Sequence, residues 1–257
     1  MKTNRESSKL ISVIIPAKDE APNLARVLTD LHKTSPQLNG YNIEVIVVDD
    51  HSRDETAQIA RSHGARVVTN ESSRCGKGVA LRAGFAVAKG DYLVMMDADC
   101  SHRPEDLPAF IEALEKGAGL VVGSRIFGGT EEYTRVRAFG NVVLTFWFGF
   151  FSGRYLSDAL NGYKAFRRDI FTDYTYTSRD FEIEIELLAN ALRKGCRIVE
   201  VASHERGRYA GVAKSRVIKH GTMFAWRVVR EWLKDGMKNS VPNSVPHAAP
   251  HAVEQAH

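Results

Sequence analysis

Apolar residues recur along the first 125 positions in two alternating rhythms. Short runs rich in β-branched residues, at 10–15, 43–48, 66–68, 92–96 and 119–122, predict buried strands. Between them the period lengthens. Residues 20–31 place Leu24, Val27, Leu28 and Leu31 on one face and predict a helix. Residues 56–63 and 78–88 predict two more, with Gly64 standing where a helix commonly ends in the left-handed region. A fourth opens at Pro104, whose fixed φ suits a first turn, and runs to about Lys116. Strands alternating with helices of this length predict a mainly parallel sheet covered on both faces. Such sheets bind ligands beyond the carboxyl ends of their strands, here just after Ile15, Val48, Met96 and Val122.

The second half has another texture. Residues 139–151 (FGNVVLTFWFGFF) are dense in aromatics and carry no charge. At ~1.5 Å per residue a helix of that length spans about 20 Å, too short to cross a bilayer. It suits either a membrane interface or a buried core helix or dimer contact. Residues 162–167 and 197–201 predict two further strands. The run FEIEIEL at 181–187 alternates like a strand but continues through LLANALRK, which predicts a helix of about 13 residues. Residues 216–235 predict a closing helix. The Pro-spaced tail after Gly236 predicts disorder, and its His247, His251 and His257 read as solvated. The expected organisation is a polar segment at 1–9, one catalytic domain at 10–236 and a disordered tail at 237–257. Within the domain a donor half covers about 10–125 and an acceptor half about 126–236.

Composition narrows the class. With 257 residues, 44% hydrophobic and 26% charged, the chain is an ordinary globular one. Three scattered cysteines, Cys75, Cys100 and Cys196, argue against a disulfide framework, and no spacing among them suggests a zinc cage. Together with a polar N-terminus lacking a signal-peptide core, they suit a reducing, cytoplasmic compartment. The net charge of +4 is uneven: residues 203–238 hold nine basic and three acidic side chains, hence +6, leaving −2 elsewhere. A basic closing third points to an anionic partner such as a phosphorylated substrate or a membrane surface. No nucleic-acid motif accompanies it, and none is expected as a partner.

Candidate chemistry sits at the strand ends. Asp97-Ala98-Asp99 follows an apolar strand, and two carboxylates separated by one small residue can share a divalent ion, Mg²⁺ or Mn²⁺. Asp49-Asp50 follows another strand, with Asp54 placed to cap the next helix. Pro16-Ala17-Lys18-Asp19-Glu20 follows the first. Gly76-Lys77-Gly78 opens the helix ahead of Asp97, where backbone N–H groups and one ammonium suit a phosphate. The spacing of a Walker A loop is absent, as is a G-x-G-x-x-G after the first strand.

The segments PAKDE (16–20), VVDDHSRDET (47–56), RCGKGVALRAGFAVAKGDY (74–92) and MDADCSHRP (96–104) closely resemble the family 2 glycosyltransferases, and most of all the dolichyl-phosphate mannosyltransferase and polyprenyl-phosphate glycosyltransferase branch. The resemblance covers roughly residues 10–235. It implies a GT-A fold, a nucleotide-diphosphate sugar donor, a divalent cation and inversion at the anomeric carbon. It further implies that Pro16, Ala17, Glu20, Lys77 and Ala98 line the nucleotide sugar and that Asp50 contacts base or ribose. Asp97 would touch nucleotide and metal, and Asp99 would be the main metal ligand. Gly123-Ser124-Arg125 is similar to the family's G-S/T-R segment, with Arg125 near the phosphates. Residues 158–163 resemble an acceptor-side D-x-x-x-G-[FY] segment, and Arg206 with Lys214 a drifted R-x-x-G-x-S-K phosphate loop in which Ala213 replaces Ser.

Two acceptors follow from this. A polyprenyl phosphate presents an oxygen already anionic near neutrality and needs positioning rather than a strong base. A hydroxyl on a small metabolite needs a carboxylate base, for which Asp158, Glu182 and Glu184 are candidates. The expectation is transfer to a polyprenyl phosphate at the cytoplasmic membrane face by a peripheral enzyme. The alternatives are a soluble family member acting on a metabolite hydroxyl, and a non-catalytic nucleotide-sugar-binding protein.

Overall fold

A computed structural model describes residues 9–131, 134–211 and 217–235. The expectations for the N-terminal segment, for Lys214 and for the tail lie outside the described residues.

The chain opens with strand β1 (Lys9–Ala17), helix α1 (Ala21–Thr34), β2 (Tyr41–Asp49), α2 (Thr56–Ser62), β3 (Arg66–Thr69), α3 (Lys77–Val87) and β4 (Tyr92–Met95). A single 3₁₀ turn, Pro104–Asp106, leads into α4 (Leu107–Glu115), so the helix predicted from Pro104 starts as a tighter turn. Then come β5 (Leu120–Ser124), the short α5 (Arg125–Gly128), α6 (Arg135–Ser152), β6 (Lys164–Arg167), the short α7 (Asp169–Thr172), α8 (Ile183–Arg193), β7 (Ile198–Ala202) and α9 (Val217–Asp235). The ambiguous FEIEIEL run is helical from Ile183, as its continuation predicts.

The strands form one sheet in the order β3-β2-β1-β4-β6-β5-β7. Among the described residues β6 alone runs antiparallel, pairing with both β4 and β5. Alternation in β1 fixes the two faces. Ile11, Val13 and Ile15 pack with Leu24, Leu28, Phe110 and Ile111 under α1 and α4. Ile14 packs with Leu81, Phe85, Leu93 and Leu188 under α3 and α8. The strand order reverses direction between β1 and β4, where open sheets of this kind leave a crevice.

Helix α6 is where the sequence left two readings open. Thr134 caps it by accepting the Arg137 N–H, and Gly153 ends it at φ 68°. Phe148 is buried, yet Phe139 (72% exposed), Val142, Phe146 (61%) and Phe150 face outward. That overturns the buried-core reading of residues 139–151. The neighbouring α9 turns Trp226 (66%), Trp232 and Leu233 outward as well. Among the described residues no helix is long and apolar enough to cross a membrane.

Candidate active site

The loops after β1, β2, β4 and β5 meet around one cavity of about 910 Å³. Pro16, Ala17, Glu20, Asp50, Lys77, Asp97, Ala98, Asp99 and Arg125 all line it. They come from segments up to 109 positions apart in sequence, joined only by the sheet edge.

At its centre two carboxylates each hold an internal cation. Lys77 Nζ lies 2.7 Å from Asp97 Oδ1 and 2.9 Å from Glu184 Oε1. Arg208 Nη2 lies 2.5 Å from Asp99 Oδ2, with Nη1 3.7 Å from Glu20 Oε1. Burial pushes the Asp97 carboxyl up, but the Lys77 ammonium, with Arg208 beyond it, outweighs this and holds it down at about 2. Burial likewise pulls Lys77 down, and Asp97 with Glu184 reverses this and keeps it above the ordinary lysine range. Both groups are therefore charged throughout the physiological range.

Local hydrogen bonds fix these groups. The Asp97 N–H donates to His102 Nδ1 at 3.0 Å, so the ring proton sits on Nε2, which faces Asp97 Oδ2 at 4.0 Å. His102 stacks on Tyr163, and Tyr163 on Phe110, tying the Asp97 loop to the core. The Ser101 N–H and Oγ both donate to Asp99 Oδ1, at 3.0 and 2.6 Å. Gly162 closes the opposite wall: a Cβ there would stand 2.6 Å from Lys77 Nζ and 3.1 Å from Asp97 Oδ2. Only glycine leaves room for the ion-paired cluster.

At one end of the cavity, Asp50 accepts from Asn70 Nδ2 at 2.6 Å and from the Gly76 N–H at 2.8 Å. This corrects the phosphate-cradle reading of the glycines. Gly76 directs its N–H to Asp50, and side chains at Gly76 or Gly78 would strike the backbone of residues 178–180. The glycines serve chain-to-chain packing there. Asp54, expected as a cap, accepts from the N–H groups of both Thr56 and Ala21 and so steadies two helix starts.

Three sequence expectations land elsewhere. Asp158 is fully buried and does not line the cavity. Its oxygens accept from Arg125 Nε (2.6 Å) and Nη2 (2.8 Å) and from Asn141 Nδ2 (3.0 Å). It holds Arg125 in place. Glu182, Glu184 and Glu186 are all buried and salt-bridged: Glu184 lines the cavity and pairs with Lys77, while Glu182 and Glu186 lie behind it and pair with Arg227. Glu182 accepts the N–H groups of Arg179 and Asp180, and Glu186 those of Thr177 and Ser178. Arg206 points to the far side of its loop, where it pairs with Asp30 and Glu105 in a smaller cavity. Arg208 takes the place expected of it. The signal was in the sequence: Arg208-Tyr209-Ala210-Gly211 has the R-x-x-G spacing, which Arg206 lacks. His102 and Glu184 carried no comparable signal, because only the fold brings them to Asp97 and Lys77.

Beyond Arg125 the cavity changes character. Its far wall is Arg137, Phe139, Val143, Leu144, Lys219 and Phe224, contributed by α6 and α9.

Residues 12–175 match the glycosyl transferase family 2. The chain is 33% identical over 215 residues to a polyprenol monophosphomannose synthase of Mycolicibacterium smegmatis, covering 79% of each chain. It is 29% identical over 225 residues to a dolichyl-phosphate hexose transferase of Haloferax volcanii, covering 88% of this chain and 95% of that one. Among solved structures, glucosyl-3-phosphoglycerate synthase from Mycobacterium tuberculosis, in complex with Mn²⁺, UDP and glucosyl-3-phosphoglycerate, superposes with a TM-score of 0.65 at 25% identity. The match covers 92% of this chain and 82% of that one. The mostly parallel sheet with one reversed strand is thus a GT-A-like glycosyltransferase fold. The chain is a glycosyltransferase and belongs to the glycosyl transferase family 2.

Proposed function

We propose that the protein moves a hexose-type sugar from a nucleotide-diphosphate sugar to a polyprenyl phosphate, with inversion, at a membrane surface. One observation carries the reading. The cavity runs without a break from Asp97 and Asp99, past Arg137 and Lys219, onto Phe139, Val143 and the exposed aromatic face of α6. A charged head and an apolar tail would meet matching walls in that order. The exposed aromatics of α6 and α9 would rest in the membrane interface, where Trp and Phe are favoured.

In this reading Pro16, Ala17, Glu20 and Ala98 line the nucleotide sugar and Asp50 contacts its base or ribose. Asp97 and Asp99 would hold a Mg²⁺ or Mn²⁺ ion. The fit is good: both are hard oxygen donors facing the cavity, each already balanced by a cation, in a place built for positive charge. When bound, the ion neutralises the charge developing on the diphosphate leaving group. Lys77, Arg125 and Arg208 add fixed positive charge around the phosphates. The Mn²⁺ and UDP of the Mycobacterium tuberculosis structure support this assignment.

The way the three candidate bases are held supports this acceptor. A hydroxyl acceptor requires a carboxylate within reach. Asp158 and Glu182 have their oxygens engaged by hydrogen bonds, and Glu184 is held by Lys77. A phosphate acceptor has a second pKa of about 6 and arrives already ionised. The alternative, a phosphorylated hydroxy acid such as the one named in the M. tuberculosis structure, would have to free Glu184 or use Asp180, which also lines the cavity.

A donor-by-acceptor assay decides. GDP-mannose, UDP-glucose and UDP-GlcNAc are offered with Mg²⁺ or Mn²⁺, with a short polyprenyl phosphate in detergent or with 3-phosphoglycerate. Lipid-dependent nucleotide release with a glycosyl-phospholipid product is expected, and Asp99→Ala should abolish it. Turnover on 3-phosphoglycerate alone would overturn the lipid reading.

A further inference from the structure

At the Asp50 end of the cavity three donor groups of different chemistry converge without a part in sugar transfer being needed to explain two of them. Asp50, His51 and Cys75 each offer a ligand atom, and these atoms all lie within 4.8 Å of one another. They come from two loops, 25 positions apart, after β2 and ahead of α3. Two of the donors, His51 and Asp50, already have the outer partners that metal ligands characteristically use. His51 Nε2 faces the Ser72 carbonyl at 2.9 Å. A carbonyl can only accept, so Nε2 carries the proton and Nδ1 keeps the lone pair of the neutral ring. Asp50 is oriented by Asn70 and the Gly76 N–H. The Cys75 side chain is hydrogen-bonded to the Lys18 ammonium, which an incoming metal ion would displace from the sulfur.

We propose that Asp50, His51 and Cys75 form a binding site for a thiophilic divalent ion of the zinc class, and that its occupation blocks the donor end of the cavity. A mixed carboxylate, imidazole and thiolate set selects zinc or cadmium over magnesium, which prefers oxygen alone. The site is thereby chemically distinct from Asp97 and Asp99. Binding converts the Cys75 thiol to a thiolate and releases one proton to the buffer. Three protein ligands leave a fourth position for water. Cys75 and Asp50 both line the donor cavity, so a metal bridging them occupies space and lone pairs that a nucleotide would use. The blocking part of this inference rests on the donor assignment above, and the binding part does not.

The test is Cd²⁺ titration of the full chain, read by thiolate-to-metal charge-transfer absorption, which carboxylate sites and histidines alone do not produce. Cys75→Ser should abolish the band, and His51→Ala should weaken Cd²⁺ binding roughly 10–100-fold. A band that survives Cys75→Ser, or no band in the wild type, would overturn the site. UDP and GDP are then titrated against the loaded protein. A tenfold or greater loss of nucleotide affinity supports blocking, whereas nucleotide binding unchanged by Cd²⁺ overturns it. Should neither nucleotide bind the metal-free protein, the donor assignment fails while the metal site stands on its band.

Discussion

Helices α1 and α9 are both amphipathic, both close over the sheet, and use their faces in opposite ways. α1 buries Leu24, Val27, Leu28 and Leu31 and gives its charges to water. α9 buries Phe224 and Val228 but also His220, Arg227 and Glu231, and leaves Trp226, Trp232 and Leu233 outside. Its buried charges are compensated. Glu231 accepts from Arg193, Arg227 and Lys234, and Arg227 also reaches Glu186 on α8. The difference teaches where each half expects its solvent. A helix that takes ions inward and turns indoles outward leaves an apolar outer surface, the one the proposed membrane contact would use.

The comparison breaks most visibly at the buried network. Glu231→Ala removes the carboxylate that three cations share, two of them largely buried, and should cost about 3–5 kcal/mol of unfolding free energy in urea melts. An α1 surface change such as Lys33→Ala should fall far below that, and a loss for Glu231→Ala under 1 kcal/mol would mean that α9 is held by its apolar contacts alone. Next comes the loop between β7 and α9. Arg208→Gln should lower transfer about 10²-fold, as expected for losing a charged hydrogen-bond donor in a catalytic cavity. Arg206→Gln, on the outer side of the same loop, should change it less than about threefold. Equal effects would return the phosphate role to Arg206.

Lys164 sharpens the contrast through pH. It is fully buried between the Ala159 and Asn161 carbonyls, and burial brings it down to about 8. Its folded value lies below that of the unfolded chain, so between pH 8 and 10.5 the unfolded state binds more protons and stability rises with pH. Relative to Lys164→Met, the wild type should gain roughly 2 kcal/mol on going from about pH 7.5 to 9.5. A parallel pH course for the two proteins would show that the buried amine is not depressed. The smallest effect is at the outer face. Phe146→Ser with Trp226→Ser should weaken binding to anionic vesicles about tenfold while leaving urea stability within about 0.5 kcal/mol. Unchanged vesicle binding would remove the membrane from the account of α6 and α9.

These contrasts also mark what could be read in the chain. The α1 face and the five strands of the donor half were legible because each buries a continuous apolar set at a single period. The carboxylates at their ends were legible for the same reason, since a strand end places whatever follows it. For α9 the period was equally plain, but periodicity does not say which face goes inside, and buried ion pairs invert the usual answer. The solvent side of α6 was illegible on the same grounds. Asp158 was misjudged because its partners, Arg125 and Asn141, lie on other elements. The two arginines of one loop are told apart by the spacing to Gly211, which Arg208 has and Arg206 lacks.

The reversed strand β6 has a consequence for how such a molecule can change. Every parallel strand delivers to the cavity the segment that follows it, whereas β6 delivers the segment that precedes it, Asn161 and Gly162. The stretch from the end of α6 to Gly162 is thus anchored at its far end by a strand wedged between β4 and β5, with Asn161 fastened to the Gly123 carbonyl. Insertions or deletions upstream of that anchor can reshape this wall of the cavity without sliding β4 in its register. One wall is then free to drift while the strand ends that face it stay fixed.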